Sequence, residues 1–261
     1  MAISYTRSDG IGTITLDRPD VLNAFDDELG FAALEAVEKA AGDDEVRCIV
    51  ITGAGRAFCA GEDLGALAAD YEKGSVPDLG KTLTDRYNPL IRAIRSAPKP
   101  VVAAVNGVAA GAGASIALAC DARIASEHAK LVVAFVNVGL VPDSGALWFL
   151  SRMLGTARAW QLASTGRAVK ADEALALGLF DEVVAADGFE AVWREYAAKL
   201  AAGPTRAYAL AKELLNDAAE RSLNDQLDAE VNAQTAAGRT DDHLEGVQAF
   251  LGKRPPKFTG R

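Results

Sequence analysis

The stretch "KPVVAAVNGVAAGAGASIALACDARIAS", residues 99–126, carries three elements in succession. Pro100 ends whatever precedes it, and "VVAAV" is the continuous apolar run of a strand buried on both faces. "GAGASIALACD" opens on glycines and continues as an apolar helix, and "ARIAS" returns to a strand. Strand, glycine turn, helix and strand again is the pattern of an α/β protein.

The pattern extends both ways. Upstream, "GIGTITLDRP" alternates as a strand over Ile11–Leu16. "NAFDDELGFAALEAVEKAAGDD" has helical spacing at Leu29, Ala33, Leu34, Val37 and Ala41, behind an acidic first turn. "VRCIVITG" is a short buried strand, and "VPDLGKTLTDRYNPLIRAIRSAPKP" reads as a polar loop followed by a helix closed at Pro98 and Pro100. Downstream, "KLVVAF" reads as a strand, and strands alternate with helices to about residue 184. From Phe189 to Phe250 only helical periods remain, with two helices joined near Arg221 and Ser222. These readings divide the chain into an α/β core, residues 1–200, and a helical region, residues 201–261.

Composition narrows the function. The chain has 261 residues, 50% hydrophobic and 24% charged, which suits one α/β domain with an appendage. No apolar run is long enough to span a membrane, and "MAISYTRSDG" lacks the basic head and apolar core of a signal peptide. Cys48, Cys59 and Cys120 have no metal-ligand spacing and read as buried, reduced thiols, so a cytoplasmic protein without a metal is expected. A net charge of −9 argues against nucleic-acid binding.

Three glycine-rich segments follow buried strands: "GAGRAFCAGEDL", "NGVAAGAGASIALACD" and "VGLVPDSGALW". They are either plain tight turns or a source of unpaired N–H groups, two of which, facing each other, would make an oxyanion hole. Neither of the first two matches a dinucleotide-binding fingerprint position by position, and neither has a suitable acid about twenty residues on. Ser115 with His128 and Asp121 could suggest a hydrolytic triad, but Ser115 falls inside an apolar helix and His128 in the polar turn "SEHAK". In "GLVPDSGALWFL", Asp143 stands in an apolar run, where a carboxylate is costly unless something holds or uses it. It is suited to capping the following helix "SGALWFLSRML", whose dipole would favour the anion, and to serving as a general acid/base; the two roles are compatible.

The motifs "LDRPDVLNAF", "AFCAGEDL", "KPVVAAVNGVAAGAGASIALACDARIAS", "GLVPDSG" and "GRAVKADEALALGLFDEVV", in this order, resemble the crotonase, or enoyl-CoA hydratase/isomerase, superfamily along essentially the whole chain. The resemblance implies a ClpP-like spiral of ββα units with C-terminal helices that assemble trimers or dimers of trimers. It implies an acyl-CoA substrate and no separate cofactor, with the thioester oxygen held by the backbone N–H groups of Glu62 and Ala112. It places Ala24, Ala60, Gly61, Asp63, Leu64 and Gly111 along the CoA and acyl path, with helix capping an equal reading for Asp63. Side-chain identity at Glu62 and Ala112 is then nearly free. The two glutamates with which hydratases of this superfamily add water are replaced here by Ser115 and Phe135. Asp143 remains, and the combination resembles the ring-1,2-epoxyphenylacetyl-CoA isomerases, which also act as Δ3,Δ2-enoyl-CoA isomerases. Phe135 and Trp148 would line a dry acyl pocket, with ordinary core packing the favoured reading for Trp148. In the tail "GVQAFLGKRPPKFTGR", Lys257 and Phe258 would reach a neighbour's CoA phosphate and adenine, and an isolated chain would hold this segment loosely; a solvated basic tail is the competing reading for Lys257.

Overall fold

The computed structural model describes residues 2–261, apart from the side chains at positions 69 and 70. Its strands are β1 (Ile3–Ser8), β2 (Ile11–Leu16), β3 (Cys48–Gly53), β4 (Ala57–Cys59), β5 (Val101–Val105), β6 (Val108–Ala110), β7 (Ala122–Ser126), β8 (Lys130–Val132), β9 (Ala168–Lys170) and β10 (Glu182–Val184). They form two sheets, ordered β1-β2-β3-β5-β7-β10 and β4-β6-β8-β9. Apart from the antiparallel pairs β1–β2 and β8–β9, every neighbouring pair is parallel. Each pass of the chain lays one strand in the large sheet and the next in the small one: β3 then β4, β5 then β6, β7 then β8. The middle pass continues directly into the helix Ala112–Ala119. This is the spiral of ββα units that the resemblance implies.

The strand over Ile11–Leu16 and the strand at "VVAAV" lie where their patterns put them. Three expectations change. The segment "VAA" between the β5 strand and its helix is the separate strand β6; at three residues it is too short to show alternation. "KLVVAF" stays extended only to Val132, because Ala134–Val138 winds into a 3-10 turn closed at Gly139 with φ +73°. The polar loop before Asn88 is also partly helical, with a π turn at Leu83–Tyr87 running into the helix Asn88–Ser96.

The main core lies between the large sheet and the helices Asp27–Gly42, Asn88–Ser96 and Ala112–Ala119. The opposite face is covered by the helix Phe189–Ala201, whose Phe189, Trp193, Ala197 and Ala201 pack on Val50, Val102 and Ile124. Three helices follow: Thr205–Asp217, Leu223–Ala237 and Asp241–Leu251. The first is anchored by buried Lys212, whose Nζ donates to the Ile94 carbonyl and to Asp121, both at 2.8 Å. The second buries no residue. The tail is held more firmly than expected. Asp242 accepts from the Thr259 and Gly260 N–H groups at 2.6 and 2.9 Å, and Glu245 takes a two-pronged pair from Arg254. Phe258 is half-buried against Gly246. Among the described residues no helix is long and apolar enough to cross a membrane.

Successive passes of the spiral touch backbone to backbone. A Cβ at Gly53 would lie 2.2 Å from the Ala57 carbonyl oxygen, and one at Gly107 would lie 2.1 Å from that of Arg56. Buried Asn23 ties the same crossing together, donating to the Ala54 and Ala57 carbonyls at 3.0 and 2.8 Å. Since an added methyl would meet main chain that cannot swing aside, Gly107→Ala is expected to destabilise the fold by about 1–3 kcal/mol, read as a lowered denaturant midpoint at unchanged m-value.

Candidate active site

The crossing places two glycine turns face to face. Gly61, at φ +97°, follows β4, and Gly111, at φ +53°, follows β6. A Cβ on Gly61 would lie 2.9 Å from the Ala110 carbonyl oxygen and 3.5 Å from the Ala112 nitrogen. Only glycine permits both the backbone angle and the approach. The turn after Gly61 is fixed by a bridge to Phe25: Phe25 N–H donates to the Gly61 carbonyl at 2.7 Å, and Asp63 N–H to the Phe25 carbonyl at 2.9 Å. In that pairing the Glu62 N–H points away from the bridge. Ala112 opens its helix, so its N–H has no carbonyl one turn back. Neither N–H has a backbone acceptor among the described residues. Both residues line one pocket with Gly61, Gly111 and Asp143.

The pocket is apolar and has a volume of about 770 Å³, mouth included. Of the expected site residues, Ala60, Gly61, Glu62, Leu64, Gly111, Ala112, Phe135 and Asp143 line it. Ala24 and Asp63 lie behind it. Arg18 bonds both, at 2.6 Å to the Ala24 carbonyl and 3.0 Å to the Asp63 carboxylate. Asp63 also accepts from the Ala66 N–H at 3.1 Å, within the turn that precedes the helix Ala68–Glu72. Trp148 is 37% exposed and stacks on Arg152 at 3.6 Å, so it is neither core nor pocket wall. Lys257 and Phe258 lie with the C-terminal helices and do not line this pocket.

Asp143 sits on a loop held in an unusual shape. Ser144 and Gly145 follow it with φ +51° and +79°, and the left-handed serine costs of order 1–3 kcal/mol. The Asp143 carbonyl accepts from Ala146 N–H at 2.9 Å and from the buried Ser115 hydroxyl at 3.1 Å. Ser115 thus braces the loop. The carboxylate accepts from the Ser144 hydroxyl at 2.8 Å and has no cationic partner among the described residues. It does not cap the helix Ala146–Leu154, which starts from Gly145 with no side-chain cap. The expected help from the helix dipole is not what prevails. Burial pushes the Asp143 carboxyl above its ordinary value, the Ser144 bond opposes this, and the Glu62 charge adds to it.

The Glu62 side chain is the feature sequence reasoning missed. Arg86 donates through Nη2 to both Glu62 oxygens at 2.7 and 2.6 Å, and the Tyr87 hydroxyl donates to the second at 2.5 Å. Arg86 is 2% exposed and reaches Asp27 with its other Nη at 3.2 Å. It fits because residue 30 is glycine: a Cβ there would lie 2.1 Å from the Arg86 Cδ. Side-chain identity at Glu62 is therefore not free. The signal in the sequence was Gly30 itself, a glycine inside a strongly helical segment.

An enoyl-CoA hydratase/isomerase family model matches residues 6–261, and the chain belongs to that family. It is 45% identical to the 1,2-epoxyphenylacetyl-CoA isomerase of Escherichia coli over 97% of this chain and 96% of the relative. It is 46% identical to a Rhodobacter capsulatus protein described as "Probable enoyl-CoA hydratase", over 99% and 98%. The crystal structure of an enoyl-CoA hydratase from Polaromonas superposes with a TM-score of 0.92 at 37% identity, covering 99% of this chain and all of that one. The fold is the crotonase fold, and the protein is an enzyme of the hydratase/isomerase family.

Asp143 binds more protons folded than unfolded just above the ordinary carboxylate range, because its native pKa is raised. Stability therefore falls as pH rises through that window. Asp143→Asn is expected to raise the melting temperature at pH 7 and to leave it unchanged or lower at pH 3, as scanning calorimetry at the two pH values would show.

Proposed function

We propose that the protein is an acyl-CoA isomerase that shifts a double bond, or opens a ring epoxide, through a thioester enolate. Asp143 carries this reading: it is a partly buried carboxylate with no cation, in the same pocket as two unpaired backbone N–H donors. The Glu62 and Ala112 N–H groups hold the thioester oxygen, where negative charge develops once a C2 proton leaves; each such donor is worth roughly 10²–10³ in rate. Asp143 removes that proton and returns it at C4, which completes an allylic shift with no cofactor. A carboxyl raised by burial is the better base for an acidic carbon. Ser115, braced on the Asp143 carbonyl, and Phe135, a pocket wall, offer no second acid for the paired-glutamate hydration route.

One observation favours a hydratase as the second reading: Glu62 brings another carboxylate into the pocket, so a water between it and Asp143 is conceivable geometry for a lyase. Its oxygens already accept three hydrogen bonds, which leaves it little to offer such a water. Assembly into a trimer or dimer of trimers is part of the proposal. The last helices expose Leu223, Leu227, Val231, Phe250 and Leu251, an apolar surface suited to a second copy. The exposed Lys257 would face a neighbour's CoA.

Asp143→Asn is expected to lower turnover of a 3-enoyl-CoA by about 10²–10⁴-fold while acyl-CoA binding persists. Retention of most of the rate would remove Asp143 as the base. The unaltered enzyme should isomerise 3-enoyl-CoA faster than it hydrates crotonyl-CoA, both followed by mass spectrometry; the reverse order would favour the hydratase. Sedimentation should give no stable, active monomer.

A further inference from the structure

The acyl pocket has two acidic side chains, Glu62 and Asp143, and no Lys, Arg or His among its described lining residues. A cation is nevertheless one side chain away. The Arg86 guanidinium does not line the pocket: it pairs with Glu62 through Nη2 and with Asp27 through Nη1, and its Nε is buried with no hydrogen-bond partner. Glu62 therefore covers a buried positive charge that would otherwise face the substrate.

We infer that the pocket takes uncharged acyl chains, and that Glu62, held by Arg86 and Tyr87, is the specificity-determining residue that turns away a chain ending in a carboxylate. This rests on the acyl-CoA reading above and names its substrate class. The physical basis is repulsion together with desolvation. An acyl carboxylate entering this pocket would lose water, meet the uncompensated charge of Asp143 and find the Arg86 cation already taken by Glu62. A neutral alkyl or aromatic chain loses nothing polar and gains the contacts of Leu64, Leu83, Phe135 and Leu140. Gly30 and Tyr87 show that the pair is a built arrangement. The glycine makes room for the guanidinium, and the phenol supplies a third donor that keeps the carboxylate turned to Arg86. Masking is reversible by a single atom. In Glu62→Gln the amide keeps the size and one acceptor oxygen, but the charge of Arg86 is no longer cancelled, and the same pocket becomes attractive to an anion.

Unreactive saturated esters test this independently of the reaction. Titration calorimetry would compare hexanoyl-CoA with adipyl-CoA, and octanoyl-CoA with suberyl-CoA, on the intact protein and on Glu62→Gln. The intact protein is expected to prefer the neutral ester by at least about 100-fold, and Glu62→Gln to shrink that preference by at least about tenfold. Equal binding of the two esters by the intact protein, or an unchanged preference in Glu62→Gln, overturns the inference. Should Glu62→Gln not fold, the paired change Glu62→Met with Arg86→Met removes both charges together. It is expected to reduce the preference by a smaller factor, and an unchanged preference overturns the inference there too. Selective binding of the neutral esters without 3-enoyl-CoA turnover sinks the isomerase assignment and leaves this inference standing. Binding of neither kind of ester overturns both.

Discussion

Everything in the site depends on how closely two stretches of backbone approach. Gly61 brings the turn after β4 against the end of β6 at a distance no Cβ allows, and Gly113 lies so close that a Cβ would sit 2.4 Å from the Cys59 carbonyl oxygen. Glu62 and Ala112 line one cavity because the spiral stacks these turns, and the sheets hold their main-chain N–H groups. Such donors need no reorganisation when charge appears beside them, which is the condition under which hydrogen bonds to an oxyanion are most effective. The small, alanine-rich sequence of β5, β6 and the Ala112 helix is the consequence. Large side chains would push the passes apart.

On this rigid frame two carboxylates have different fates. Glu62 receives three hydrogen bonds, two of them from a guanidinium that is itself buried. Asp143 receives one side-chain bond, from Ser144, and no cation. A carboxylate whose lone pairs are occupied is held in place; one that is partly dry and lightly bonded keeps lone pairs to offer a proton. Two acids of the same chemistry are thereby sorted into a structural anion and a candidate base, and the sorting comes from their neighbours. The fixed anion in turn helps keep the Asp143 carboxyl above its ordinary value.

Much of this was legible in the sequence, and the rest was hidden for identifiable reasons. The fully apolar run at β5, the glycine turns and the isolated Asp143 announce the fold and the site, because each breaks or satisfies a rule that is local. The three-residue strands of the small sheet are too short to carry a period. Asp143 as a helix cap was a sound local inference. It fails because Ser144 and Gly145 both turn left-handed and carry the carboxylate out of line with the helix. The Glu62 clamp could not be read from "CAGEDL", since its partners lie 24 and 25 residues on. What could be read was Gly30, whose presence inside a helix asks which side chain needs the space.

The loop after Asp143 carries strain, and Ser115 supplies part of what holds it. Its hydroxyl reaches the Asp143 carbonyl from inside a fully buried helix, and Ala146 N–H reaches the same oxygen from the other side. A left-handed serine persists only where the surroundings over-determine it. The serine that stands where a hydratase glutamate is expected is thus not a blank position. It braces the backbone of the loop that carries the Asp143 carboxylate, so the identity of residue 115 and the conformation of that loop are coupled through one hydrogen bond.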